Sequence, residues 1–310
     1  MGENSDLLTF VPQIGPWIAS TISASDIDLV EKSYKEWFNY SVVDRGTISE
    51  ELAHSWGAPK VQGSKYCSLV PESGKEVLIR IVENPAPENF EPLTTFGWAA
   101  TELVVKDVDK LAKHLENSPF KIIGPPADLE LVPQIRAMQV VGLAQEVFYL
   151  TMFKEDIPEY DLPTAHSFID RMFIAVMASN SPSVVQNWYN KNFQIPVGNI
   201  ADIKLDLLDN AFKVPPRSGD YQLTVVTLRG RSLIEVDGYP SAAKPRFEVD
   251  GFLPPSNSIM SVLVDSIDTI IENSISQPIR IAQTPYHGRR SITVKGSMDE
   301  LIEFIEREAS

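Results

Sequence analysis

The sequence predicts an α+β protein made of four copies of one β-α-β-β-β module. Three observations support this fold class. Runs rich in branched and aromatic residues, which are typical of strands, alternate with single segments of helical periodicity. The same order of segments recurs four times, and the copies begin near residues 17, 98, 172 and 258. Repetition of this kind indicates a modular fold.

The second copy shows the module most clearly. A strand-like run at 98–105 leads to Asp107 and then to a segment whose apolar residues at 108, 111, 112 and 115 follow helical spacing. An aspartate at this junction is typical of a helix N-cap. Three further strand-like runs follow at 120–124, 135–142 and 146–153. The segment therefore predicts a strand, a capped helix and three strands.

The other three copies show the same order of elements. Their strand-like and helical runs lie at 17–22, 26–38, 65–69 and 77–82; at 172–177, 181–193, 222–227 and 232–236; and at 258–264, 265–272, 278–282, 290–296 and 300–305. Gly142 and Glu146 stand four residues apart, as do Gly296 and Glu300 in the fourth copy. This shared spacing adds to the evidence that the segments are repeated.

A charged, proline-containing stretch at 155–163 separates the second copy from the third. It has no periodicity, which is typical of a linker. We therefore predict an N-terminal domain over 1–158 that contains modules one and two. We predict a C-terminal domain over 163–310 that contains modules three and four.

Charge and cysteine content exclude several classes of protein. Lys and Arg number 27 against 42 Asp and Glu, so the formal net charge is -15, which disfavours nucleic acid and anionic membrane surfaces as partners. Cys67 is the only cysteine, and the N-terminus lacks a basic region followed by an apolar core. These features favour a cytoplasmic protein without disulfides.

The strand-to-helix junctions, aromatic helix segments and closing strands of these modules together resemble the vicinal-oxygen-chelate superfamily, which includes glyoxalases, extradiol dioxygenases and bleomycin-resistance proteins. The residues that carry this resemblance are 105–109 and 264–268 at the junctions, 34–40 and 188–193 in the helices, and 233–236 and 301–304 in the closing strands. The resemblance implies that two modules curl into an open, cup-shaped barrel with flanking helices. Four modules imply two such cups.

The resemblance also implies a divalent metal, iron, manganese or zinc, held by His or Gln from a first strand and Glu from a last strand. The first-strand positions fall near Ala19, Ala100, Phe173 and Ile259, and no histidine lies within two residues of them. The last-strand positions fall at Arg80, Tyr149, Glu235 and Glu303. Only Glu235 and Glu303 remain as candidate ligands, and the cofactor stays open.

We predict a catalytic site in the C-terminal cup, with Glu235 as general base and His287 beside it. Tyr286 and Arg289 flank His287 and could bind an anionic or carbonyl group. The alternative for the segment around His287 is a Gly-containing hairpin with exposed polar residues. Glu303 could face water, and its segment could also form a helix, because apolar residues stand at 301, 302, 304 and 305.

In the N-terminal cup, several polar side chains could hold a carboxylate or carbonyl substrate by hydrogen bonds. These candidates are Arg80, Arg136, Gln139, Tyr149 and Glu102. The resemblance implies an enzyme that acts on a small organic molecule, a lyase, an isomerase or a ring-cleaving enzyme. The alternative is a metal-free, drug-sequestering binding protein, and a homodimer is compatible with either function.

Overall fold

The computed structural model describes residues 12–157 and 161–308, and its sixteen named strands form two eight-stranded sheets. The strands are β1 (Ile14–Ala24), β2 (Ser41–Thr47), β3 (Lys65–Val70), β4 (Leu78–Glu83), β5 (Gly97–Val105), β6 (Lys121–Asp128), β7 (Ile135–Val141), β8 (Val147–Phe153), β9 (Ile169–Ser179), β10 (Ala201–Ile203), β11 (Tyr221–Leu228), β12 (Ser232–Gly238), β13 (Ser256–Val264), β14 (Ile279–Arg280), β15 (Arg290–Lys295) and β16 (Leu301–Glu306). The helices are α1 (Ile27–Trp37), α2 (Glu50–Ser55), α3 (Val108–Leu115), α4 (Pro182–Phe193) and α5 (Asp206–Ala211), with 3₁₀ turns at Pro59–Val61, Ile267–Thr269 and Ile271–Asn273.

The predicted four-module α+β fold is confirmed. Asp26 and Asp107 cap α1 and α3 by accepting hydrogen bonds from the backbone N–H groups three residues on. The fourth module departs from the pattern, because its predicted helix at 265–272 forms only the two 3₁₀ turns. Its β-branched residues, among them Ile267, Thr269 and Ile271, lose side-chain freedom in a helix and so disfavour one.

The modules pair in a nested order. One sheet runs β14-β15-β16-β13-β1-β4-β3-β2 and joins the first module to the fourth; we call it the outer cup. The other runs β10-β11-β12-β9-β5-β8-β7-β6 and joins the second module to the third; we call it the inner cup. Our prediction that consecutive modules share a cup is therefore wrong. The linker residues 158–160, on which the predicted domain limit at 158 falls, lie outside the described residues, and that limit stays a prediction.

Consecutive modules instead pack through the faces of the sheets that point away from the cups. The Tyr34 ring of α1 stacks on Phe120 of the second module at 5.8 Å, and the Phe193 ring of α4 lies 5.3 Å from Phe304 of the fourth. Trp17 and Trp98 meet edge to face between the sheets, and each indole N–H donates to a backbone carbonyl of the opposite sheet at 2.8 Å. One shared apolar core thus joins all four modules.

A buried glutamate closes the last hairpin of the second module. Glu146 folds back on its own turn and accepts a hydrogen bond from the Ala144 N–H at 2.8 Å and one from the Tyr34 hydroxyl at 2.5 Å. A Cβ at Gly142 would collide with the Glu146 carboxylate, so this position requires glycine. The Glu146 side chain therefore occupies the space that a Cβ at position 142 would fill, which explains the spacing from Gly142 to Glu146.

The fourth module repeats this hairpin with Gly296 and Glu300, but Glu300 accepts no hydrogen bond from the corresponding tyrosine, Tyr189. Glu300 accepts from the Met298 N–H at 2.7 Å, whereas its second oxygen and the nearby Tyr189 hydroxyl have no partner. Tyr189 of α4 thus holds the place in the third module that Tyr34 holds in the first.

This difference predicts unequal effects of removing the two hydroxyls. Tyr34→Phe should lower the free energy of unfolding by ~1–3 kcal/mol, because it leaves a buried Glu146 oxygen without its donor. Tyr189→Phe removes a hydroxyl without a partner and should change it by less than ~0.5 kcal/mol. Urea denaturation at pH 8 measures both, and equal losses would show that the Tyr34 hydrogen bond contributes nothing specific.

Candidate functional site

The floor of the outer cup is occupied by an ion pair between Arg80 of β4 and Glu303 of β16. Arg80 Nη2 lies 3.1 Å from Glu303 Oε2, and Ser261 donates to the same oxygen at 2.6 Å. Trp56 and Tyr286 donate to Glu303 Oε1 at 2.7 and 2.6 Å. The carboxylate therefore accepts four hydrogen bonds, and its side chain is only 1% exposed.

Arg80 is also fixed by several contacts besides Glu303. Its Nη1 donates to the Tyr286 hydroxyl at 2.7 Å, its Nε donates to Thr21 at 2.9 Å, and the guanidinium lies 4.6 Å from the Trp56 ring centre. Apolar side chains of α2 and the following turn, including Leu52, fill the rest of the cup. A cavity of about 10 Å³ beside Arg80 and Tyr286 has the space of a single water. The outer cup is therefore a packed core.

The inner cup has carboxyl groups at its floor, and no arginine of residues 12–157 and 161–308 forms an ion pair with them. Glu102 of β5 lies beside Tyr149 of β8, and Glu235 of β12 lies beside Val176 of β9. Asp237 follows Glu235 on the same face of β12, since alternate residues of a strand share a face. Thr151 donates to Glu102 Oε1 at 2.6 Å.

Several polar atoms at this floor are buried without a hydrogen-bond partner. They are Glu102 Oε2, both Asp237 carboxylate oxygens and the hydroxyls of Tyr149 and Tyr239. Glu102 and Tyr149 are each 6% exposed, while Glu235 keeps partial contact with solvent. Natural proteins rarely leave buried polar atoms unpaired, so this concentration makes the floor of the inner cup the candidate functional site.

Burial and mutual repulsion raise the pKa values of the three carboxyl groups. Desolvation, together with the charge of Glu235, raises the pKa of Glu102 to about 8. Desolvation raises the pKa of Glu235 to about 7, and desolvation with both neighbouring carboxylates raises the pKa of Asp237 well above its usual value. Near neutral pH the cup therefore holds both protonated and ionised carboxyl groups, as acid–base catalysis requires.

A cavity of about 570 Å³ lies at the ends of β5 and β8, between these strands and the linker residues 155–157 and 161–165, and none of Glu102, Glu235 and Asp237 lines it. Val104 and Phe153, which continue the cup faces of these strands, line it, as does Arg231 before β12. Arg231 Nε lies 2.7 Å from the linker carboxylate of Asp161. The volume suits a small organic molecule.

Neither cup has the ligands of the metal implied by the resemblance. The cup-facing pairs at the corresponding strand positions are Thr21 with Arg80, Ser261 with Glu303, Glu102 with Tyr149, and Val176 with Glu235. In the outer cup, Arg80 would repel a cation. In the inner cup, Val176 cannot coordinate, and across residues 12–157 and 161–308 no three His, Cys, Asp or Glu side chains are grouped as metal ligands. The residues present do not fit the ion.

The predicted pairing of Glu235 with His287 is wrong. Glu235 belongs to the inner cup, whereas His287 lies in an exposed turn of the fourth module, in the outer cup. Tyr286 points the other way and belongs to the Arg80–Glu303 network. Arg289 donates to the carbonyls of Tyr286 and Pro285 and so only braces this turn.

The structure separates the five residues that were predicted to bind a substrate in one cup, which are Arg80, Arg136, Gln139, Tyr149 and Glu102. Arg80 lies in the outer cup, and Arg136 forms ion pairs with Asp109 and Asp128 outside the cups. Gln139, Tyr149 and Glu102 occupy neighbouring positions on one face of the inner sheet.

Sequence reasoning missed Asp237 and Tyr239. The alternation Leu233, Glu235, Asp237 along β12 was a readable signal for Asp237, because a cup-facing Glu235 places Asp237 on the same face. Tyr239 lies beyond the strand end, where alternation gives no direction.

No helix among the described residues combines the length and apolar character that crossing a membrane requires.

No family model and no curated protein matches the chain, but solved structures do. A mutant of glyoxalase I from Zea mays aligns over 95% of this chain and 94% of its own, with a TM-score of 0.63 and 12% identity. Glyoxalase I itself, from the same plant, aligns over 94% and 92%, with a TM-score of 0.60 and 11% identity. A proposed dioxygenase from Bacillus subtilis aligns over 96% and 87%, with a TM-score of 0.56 and 10% identity. This chain has the vicinal-oxygen-chelate fold, in a form with four modules and two cups.

Proposed function

We propose that the inner cup is the functional cup and that it catalyses proton transfer on a small organic molecule, as an isomerase or lyase. The observation that carries this proposal is the pair Glu102 and Glu235, at the floor of a cup that solvent reaches. The outer cup neutralises its own carboxylate with Arg80 and leaves no space for a ligand. The inner cup leaves both carboxyl groups without a cation.

The two glutamates have complementary roles in this mechanism. Near pH 7 Glu235 is partly ionised, and its carboxylate takes a proton from a carbon next to a substrate carbonyl. Glu102, whose pKa is about 8, is mainly protonated and donates a hydrogen bond to the carbonyl oxygen as negative charge develops there. The C–H bond breaks and its proton passes to Glu235. In an isomerase, Glu235 returns this proton to the former carbonyl carbon, whose oxygen takes the proton of Glu102, while the hydroxyl on the α-carbon passes its proton to Glu102 and becomes the new carbonyl. In a lyase, the enolate expels a group from the β-carbon, and that group leaves with the proton held by Glu235.

Hydrogen exchange tests this proposal without knowledge of the natural substrate. We expect the protein to accelerate incorporation of deuterium from D2O into the C–H positions of hydroxyacetone or aminoacetone, as followed by proton NMR. Glu235→Gln should lower this rate by at least ~100-fold, because a general base contributes about that much. Glu272→Gln, an exposed glutamate of the fourth module, is the matched control and should leave the rate unchanged.

Absence of exchange in both probes, or an undiminished rate in Glu235→Gln, would remove the catalytic proposal. A cup that binds the probes without exchange would support the non-catalytic, ligand-sequestering function instead. The lack of any histidine at the cup-facing strand positions of the inner cup is the observation that favours this second function.

A further inference from the structure

The carboxyl groups at the floor of the inner cup lack a basic partner within the described residues. Glu102, Glu235 and Asp237 lie together, and none of the three forms an ion pair with any basic side chain of residues 12–157 and 161–308. The tyrosines that adjoin them, Tyr149 and Tyr239, add hydroxyls and aromatic rings but no positive charge. A buried group of carboxyl groups without a compensating cation is costly to maintain.

The charged groups at and around this floor lie on β5, β12 and α5 and at the rim of the cup. β5 contributes Glu102, and β12 contributes Glu235 and Asp237. The α5 side contributes Asp209, which accepts a hydrogen bond from the Tyr221 hydroxyl at 2.8 Å. The basic side chains lie at the rim, where Arg171 and Arg231 are close enough to influence each other and Arg231 is paired with Asp161.

The floor atoms that lack a hydrogen-bond partner indicate which ligand group could bind them. Both Asp237 oxygens are acceptors when this group is ionised, and the hydroxyl oxygens of Tyr149 and Tyr239 can also accept. Asp237, Tyr149 and Tyr239 are all more than nine-tenths buried. An alkylammonium group carries three donors and no acceptor, and it is attracted to tyrosine faces.

We propose that the ligand of the inner cup is an organic amine in its protonated form, whose ammonium group Asp237 receives at the floor. This proposal rests on the proposed function in that it names the substrate class of the same cup. It assigns Asp237 to binding and leaves proton transfer to Glu235 and Glu102.

The amine must compete with protons for the same carboxyl groups. Because desolvation and the neighbouring carboxylates raise the pKa of Asp237, this group holds its proton to higher pH than an exposed aspartate does, and an entering ammonium favours release of that proton. The affinity for the ammonium should therefore increase with pH, and binding should release protons. A neutral ligand of the same shape gives neither effect.

Calorimetry with three ligands of one shape tests the charge preference: cyclohexylammonium, cyclohexanol and cyclohexanecarboxylate. We expect cyclohexylammonium to bind at least ~10-fold more tightly than the other two at pH 8, since a hydrogen bond to a charged group contributes more binding free energy than a neutral one, by an amount that corresponds to about tenfold in affinity. Its affinity should fall at pH 6, while that of cyclohexanol stays constant. Titration in buffers of different ionisation enthalpy should show proton release.

Asp237→Asn keeps the shape of the side chain and should abolish the preference for cyclohexylammonium over cyclohexanol. Asp250→Asn, an exposed residue paired with Lys60, should preserve it. Equal binding of the amine and the alcohol, tighter binding of the carboxylate, or no binding of the amine at millimolar concentration would overturn the proposal.

The two proposals fail in different ways. Amine preference without deuterium exchange would retain the ligand class and remove catalysis. Exchange of hydroxyacetone without amine preference would retain catalysis and remove the ligand class.

Discussion

Replacement of Arg80 by methionine is expected to lower the free energy of unfolding by roughly 3–5 kcal/mol, because it leaves a buried carboxylate without its cation. Glu303 is 1% exposed and cannot recover its hydration. Glu303→Gln should cost a similar amount, since it leaves the buried Arg80 guanidinium without a counter-charge. Urea denaturation measures both changes.

The double variant Arg80→Met with Glu303→Gln separates the ion pair from general packing. We expect it to be less destabilised than the sum of the two single changes, because neither partner is left charged and alone. Lys295→Met, which breaks an exposed pair with Glu248, is the control and should cost less than ~1 kcal/mol. Additive losses in the double variant would show that Arg80 and Glu303 act independently.

Glu102→Gln is expected to stabilise the protein at alkaline pH. The pKa of Glu102 rises from 4.5 to about 8 on folding, so the folded state holds its proton more tightly than the unfolded chain does. Stability from this group is complete below about pH 4.5 and is lost as the pH rises through about 8. Glutamine does not titrate and avoids this loss.

The expected gain at pH 8.5 is several kcal/mol, since every tenfold difference in proton affinity between the folded and unfolded states corresponds to ~1.4 kcal/mol. At pH 5 the variant and the unaltered protein should differ little, because Glu102 is then protonated. Urea denaturation at both pH values gives the comparison, with Glu272→Gln as the exposed control. A variant that is less stable at pH 8.5 would contradict the burial of an unpaired charge. The expected gain would also show that Glu102 lowers the stability of the folded chain at alkaline pH.

Local signals were sufficient to predict the modules but not their pairing. Asp26 and Asp107 start their helices by hydrogen bonds within one turn, so the sequence around them carries the information. The central strands β1, β5 and β13 are buried almost throughout on both faces, so no alternation distinguishes one partner strand from another. The choice of β13 over β5 as partner of β1 depends on contacts distant in the sequence.

This limitation explains the errors at the candidate site. Alternation correctly placed Glu235 opposite the apolar face of its strand, but whether His287 shares its cup depends entirely on which modules pair. The segment of Glu303 was ambiguous for a related reason. β16 is buried on both faces, and a short run of apolar residues at 301, 302, 304 and 305 suits a buried strand as well as a helix.

The nested order of the sheets has a consequence for synthesis of the chain. β5 to β12 form the inner sheet from one continuous stretch, Gly97 to Gly238, whereas β1 must find β13, which begins at Ser256. At ~5–20 residues per second, the first module waits on the order of 10–45 s on the ribosome before its partner strand exists. During that interval an apolar strand edge stays open to other chains, and a chaperone that shields residues 14–83 would have its greatest effect then.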